Sequence, residues 1–133
     1  MGVNTVPRFV EQPQLWKTQV SVANANISGN TGTLVTLLTG AVPHGSKVDY
    51  FSFQAQNETE AGRLRIYLFT AGATAHLWKE FTVSAASASA IDRTMWSSNF
   101  TPVAPLIVPS GWTVRISIYS ANVVNIFGIG GDF

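Results

Sequence analysis

A period-two alternation of apolar and polar residues runs through most of this chain and constrains its fold more than any other feature. Residues 63–70 read RLRIYLFT, which places Leu64, Ile66 and Leu68 on one face of an extended strand. No stretch of ten or more residues has a convincing helical period. The chain is therefore predicted to be all-β.

Eight predicted strands follow one another at intervals of about ten residues, with Gly, Pro or Asn between them. They cover residues 17–22, 33–39, 47–56, 63–70, 76–83, 91–100, 112–118 and 123–129. Short strands with turn residues between them are typical of sandwiches and barrels, and we predict a jelly-roll-like sandwich of about eight antiparallel strands. Ile66 and Ile116 are each central in a predicted strand, so a carboxylate at either position is expected to prevent folding.

Residues 1–16 differ from the rest of the chain and are predicted to form an extended N-terminal arm, with residues 17–133 forming one domain. Pro7 and Pro13 fix φ and remove backbone donors, which disfavours a helix or a central strand. Two interpretations stay open: an arm that reaches a neighbouring subunit, and a segment that packs on its own domain. The candidate contact residues in this segment are Val6, Pro7, Arg8, Phe9 and Trp16.

Charged residues are scarce. The chain has 8 basic and 7 acidic residues among 133, which is 11 % against 46 % hydrophobic residues. Soluble domains are typically about one-quarter charged, so we expect partner subunits to cover part of the surface. A soluble coat of Ser, Thr, Asn and Gly is the alternative. The basic residues form no patch in the sequence, which argues against a nucleic-acid partner.

No pattern typical of catalysis or cofactor binding is present, and we predict no enzyme activity, no cofactor and no metal. The chain has no cysteine, and His44 and His76 lack zinc-ligand spacing. The loop 57–60 carries two carboxylates without the spacing of a calcium loop and is interpreted as an exposed polar loop. No apolar run reaches the ~18 residues of a membrane span, and no secretion signal is seen. We therefore predict no membrane partner.

Four side chains on predicted outward strand faces are candidate contact residues. Trp and Tyr are enriched at interfaces, and arginines pair with acidic partners. Leu77 and Phe81 are predicted to point inward, so Trp78 is predicted to lie on the opposite, outward face. Trp112 is predicted to lie in the core. Solvated charges and packing within the domain are the alternatives. The four candidates are Arg63, Arg65, Tyr67 and Trp78.

Several stretches resemble small structural proteins of tailed bacteriophages and prophages. The stretches are Val3–Phe9, Ala61–Leu68, Leu77–Glu80, Pro109–Arg115 and Gly130–Phe133. Among phage proteins of this size and class, the closest role is that of a capsid decoration, or cement, protein. The resemblance implies a protein made in the host cytoplasm, located on the capsid surface of the virion, forming homotrimers and binding the major capsid protein to stabilise the mature head. A receptor- or glycan-binding head domain of a tail fibre or head fibre is the alternative.

Overall fold

The computed structural model describes residues 10–87 and 95–133, and every regular element within these ranges is a β-strand. Eight of the strands correspond to the predicted ones, and residues 91–94 of the sixth predicted strand lie outside the described residues. The additional strand is β7, a short segment between prolines. The strands are β1 (Gln12–Val20), β2 (Val35–Thr39), β3 (Ser46–Ala55), β4 (Gly62–Phe69), β5 (Ala75–Val83), β6 (Ser97–Phe100), β7 (Leu106–Val108), β8 (Thr113–Ile118) and β9 (Val124–Asp132).

Two antiparallel sheets pack against each other, which confirms the predicted sandwich. The first sheet has the order β1-β9-β3-β6, with β7 also paired to β3, and the second has the order β2-β8-β4-β5. The pairing is nested: β4 pairs with β5, β3 with β6 and β7, β2 with β8, and β1 with β9. The two ends of the described chain therefore lie side by side, with Gln12 opposite Asp132.

The hydrophobic core lies between the two sheets. Ile66 and Ile116 are direct cross-strand neighbours in the second sheet, and both are fully buried, which confirms their predicted central positions. Phe51 and Phe53 project from the first sheet, with ring centroids 6.4 Å apart. Trp112, which was predicted to lie in the core, is partly buried and packs against the core.

The predicted boundary of the N-terminal arm at residue 16 is wrong. Residues 12–16 form the first half of β1, and they pair with β9 as far as Trp16 opposite Gly128. β1 is an edge strand, and an edge strand tolerates a proline such as Pro13. Trp16 packs against the core and so is not a free contact residue. The other predicted arm residues, Val6, Pro7, Arg8 and Phe9, lie outside the described residues.

A compact loop, residues 24–33, follows β1, and we call it the strap. It begins where the Asn24 backbone N–H donates to the Ile118 carbonyl at 2.7 Å. The Asn24 side chain donates to the carbonyls of Thr31 and Thr33, each at 3.0 Å, and thereby joins the two ends of the strap. The Asn, Ser and Gly residues between the first two predicted strands therefore build an ordered loop with its own hydrogen bonds.

Candidate functional site

The outer surface of the second sheet carries a cluster of arginines, which we call the arginine face. Odd-numbered residues of β4 point away from the core, and their neighbours on β5 and β8 complete rows across the sheet. The first row is Thr82, Arg63 and Tyr119, and the second is Glu80, Arg65 and Ser117. Arg115 lies opposite Tyr67 in the next row.

One carboxylate serves two guanidinium groups on this face. Glu80 Oε1 lies 3.2 Å from Arg63 Nε, and Glu80 Oε2 lies 3.2 Å from Arg65 Nε. Arg63 Nη1 also donates to the Thr82 hydroxyl. Arg115 lies over the Phe69 ring, with its Cζ 4.3 Å from the ring centroid. Three arginines facing one glutamate leave the surface with an excess of positive charge.

The two arginines of β4 differ in accessibility. The Arg63 side chain is 48 % exposed, whereas that of Arg65 is only 8 % exposed. Within the described part of the chain, the buried Arg65 Nη1 and the buried Ser117 Oγ beside it have no hydrogen-bond partner. An unsatisfied buried donor costs about 1–3 kcal/mol. Arg65 therefore points outward, as predicted, but it is not the exposed contact residue that the sequence suggested.

Tyr67 is fully buried, so its assignment as an exposed contact residue is wrong. The strap crosses the outer surface of the sheet at this point, and Gly29 lies against the Tyr67 ring. The Tyr67 hydroxyl donates to the Ile27 carbonyl at 2.8 Å. Burial raises the pKa of the Tyr67 phenol above its ordinary value of 10.0.

Beyond the strap, the arginine face opens into a groove of about 390 Å³. Its lining combines two cationic side chains with two hydroxyl groups: Ala61, Gly62, Arg63, Arg65, Thr82, Val83 and Tyr119. Tyr119 is half exposed and was missed by the sequence analysis. The alternation through Arg115 and Ser117, continued by one step, would have placed Tyr119 on this face.

Trp78 faces the interior, so the predicted outward position is wrong. Its ring centroid lies 5.5 Å from that of Phe51 and 5.8 Å from that of Phe100. The cause is a register shift between β4 and β5 at Ile66 and Tyr67, where β5 has one extra residue. This bulge also turns Leu77 outward, where it is exposed rather than buried as predicted.

The outer surface of the first sheet has a different character, and we call it the apolar face (Leu15, Tyr50, Phe127 and Ile129). Leu15 and Ile129 are direct cross-strand neighbours, 62 % and 47 % exposed, and Tyr50 flanks Ile129 on its other side. Exposed Lys17, opposite Phe127, and amide side chains border this patch, with Gln19 Nε2 donating to Asn125 Oδ1 at 2.8 Å. The sequence analysis missed this surface because it placed Leu15 in the arm.

In residues 10–87 and 95–133, no group of three or more His, Asp or Glu side chains is arranged to hold a metal ion. Glu58 and Glu60 of the 57–60 loop are exposed, while Thr59 between them is buried and donates to the Ser84 carbonyl at 2.7 Å. The same described ranges contain no helix with the length and hydropathy needed to cross a membrane. No protein-family model matches the chain, and no curated protein sequence is significantly similar to it.

Proposed function

We propose that this protein is a structural component of a phage particle, a capsid decoration protein that binds and stabilises the mature head. The observation that carries the proposal is the apolar face, where Leu15 and Ile129 lie exposed side by side. Centres of protein interfaces are depleted in charged residues and enriched in aromatic ones. Tyr50 and Phe127 are the aromatic residues of the apolar face. A surface of this composition favours contact with another protein over permanent exposure to water.

The N-terminal segment adjoins this face. The backbone N–H of Glu11 donates to the Asp132 carbonyl at 2.9 Å, so the chain joins the sandwich at the end of the sheet that carries Leu15 and Ile129. Residues 1–9 precede this point in the chain and lie outside the described residues. Their apolar side chains give the protein a second point of contact with a neighbouring subunit or with the major capsid protein.

The proposal includes the jelly-roll form of the sandwich and a homotrimer. Nested pairing, in which the first strands meet the last ones, is what a jelly roll requires, and it supports that assignment. A threefold axis would let three copies share apolar surface through equivalent contacts. A decoration protein that binds only to the mature lattice stabilises that lattice by mass action, because binding shifts the equilibrium toward the bound state.

The location of the protein in the particle tests the proposal directly. We expect antibodies against this chain to label the heads of purified particles of the phage that encodes it, as seen by immunogold electron microscopy. Label at the tail tip would support the fibre alternative and overturn the assignment to the capsid. Particles without label, from a lysate that contains the chain, would overturn the virion role altogether. Light scattering should give a mass of about three times 14.3 kDa.

A deletion of residues 1–9 isolates the contribution of the arm, because it leaves β1 intact. We expect the shortened protein to melt as cooperatively as the full chain and to occupy fewer sites on the head. Deletion of residues 1–16 is the contrasting variant: it removes half of an edge strand and is expected to destabilise the fold. Unchanged head occupancy after the shorter deletion would contradict the role of the arm.

A further inference from the structure

We propose that the groove on the arginine face binds a carboxylate, presented by an acidic side chain of a partner protein. Two guanidinium groups line the groove, and the single carboxylate of Glu80 is shared between them. Among the described residues that line the groove, one positive charge is thus left without a counter-charge. A carboxylate carries one negative charge, which matches this excess.

Arg63 and Tyr119 supply the accessible donors. A guanidinium has five N–H donors, and in the described part of the chain those of Arg63 bond only to Glu80 and Thr82. The half-exposed Tyr119 side chain lines the same groove. A carboxylate seated between these two side chains would accept charge-assisted hydrogen bonds from Arg63, and its planar shape suits the fork of the guanidinium.

Arg65 contributes a buried positive charge to the groove. Its guanidinium is almost fully buried, and its Nη1 lacks a partner within the described residues. A charge held away from water acts more strongly on its neighbours than an exposed one does. An anion in the groove therefore offsets a charge that Glu80 alone does not neutralise, and Arg65 lines the groove in which that anion would lie.

The surroundings favour a protein carboxylate over a phosphate. Ala61, Gly62 and Val83 complete the lining of the groove and add no further positive charge. A nucleic-acid surface needs a stripe of basic residues to follow successive phosphates, and this face offers one compact site. The use of the groove in attachment to a capsid rests on the proposed function, whereas carboxylate binding itself does not.

The test uses the full chain and a small probe, the N-acetyl, N′-methylamide derivative of aspartate. We expect saturable shifts in the backbone amide NMR signals of residues 62–65, 82 and 119, and none with the asparagine derivative. Arg63→Gln should weaken binding by about ten-fold or more, the effect of losing one charged hydrogen bond. Lys17→Gln makes the same change of charge on the other sheet and should leave binding unchanged.

Three results would overturn the proposal. They are equal shifts of the same signals by the asparagine derivative, wild-type binding by Arg63→Gln, and a loss of binding in Lys17→Gln as large as that in Arg63→Gln. Inorganic phosphate that binds more tightly than the aspartate derivative at equal ionic strength would assign the groove to phosphate instead. No phage particle is used in this titration, so its outcome is independent of the immunogold experiment.

Discussion

The two outer faces of the sandwich are built from the same alternation but differ in what covers them. On the apolar face, the outward side chains of Leu15 and Ile129 are open to solvent. On the arginine face, the outward side chain of Tyr67 is buried, because the strap crosses the sheet there. An outward position on a strand is therefore not the same as an exposed position. The strap causes this difference, because it covers Tyr67. The groove is the part of the arginine face that the strap leaves uncovered.

The two faces also offer different chemistry to a partner. Contacts on the apolar face depend on buried area and are little affected by moderate salt. Contacts at Arg63 depend on charge, and exposed charges are screened over about 8 Å at physiological ionic strength. Attachment through the arginine face should therefore weaken as salt rises, while attachment through the apolar face should persist. The salt dependence of head occupancy separates the contributions of the two faces.

The largest expected effect comes from breaking the layer between the two faces. Ile66→Asp or Ile116→Asp would bury a carboxylate without a partner in the centre of the second sheet, and we expect neither variant to fold. Ile129→Asp makes the same chemical change on the exposed apolar face and should keep a cooperative transition. Thermal unfolding followed by circular dichroism measures both. A soluble Ile66→Asp variant with cooperative melting would contradict the assigned core.

The second prediction concerns the strap, which creates the difference between the faces. Gly29 has a φ of +75°, and a Cβ at this position would lie 2.7 Å from the Tyr67 ring. Gly29→Ala should therefore cost at least about 1–2 kcal/mol, the penalty for an L-residue in a left-handed conformation. Gly72→Ala is the control, since the nearest atom to its Cβ would be 3.8 Å away. Equal urea-unfolding midpoints for the two variants would contradict this account of the strap.

Strand positions were predictable because each depends on local alternation. The central places of Ile66 and Ile116 follow from the period of their own segments, and the structure confirms them. The phase of β5 was not predictable beyond the bulge, since one extra residue moves Trp78 inward and Leu77 outward. Nothing in the local sequence marks that insertion, because it depends on how β5 pairs with β4.

The candidate site was only partly predictable, for a related reason. Arg63 was identified correctly as an exposed outward residue. The burial of Tyr67 depends on the carbonyl of Ile27, 40 positions earlier in the chain. Such a contact leaves no trace in the alternation of β4. Leu15 was missed because proline content suggested an arm, whereas proline is also compatible with the edge strand that the chain forms.

The smallest expected effect comes from removing the hydrogen bond between Tyr67 and the strap. Tyr67→Phe removes the hydrogen bond to Ile27 and should cost about 0.5–1.5 kcal/mol at pH 8.

Burial raises the pKa of the folded phenol above 10.0, so above that pH the folded state holds a proton that the unfolded state has lost. The stability that the phenol contributes is therefore lost as pH rises above about 10. Urea unfolding at pH 8 and pH 11 should show the advantage of the wild type over Tyr67→Phe shrinking. Tyr50→Phe on the apolar face controls for the loss of a phenol. An advantage that stays constant over this range would show that the phenol is not buried under the strap.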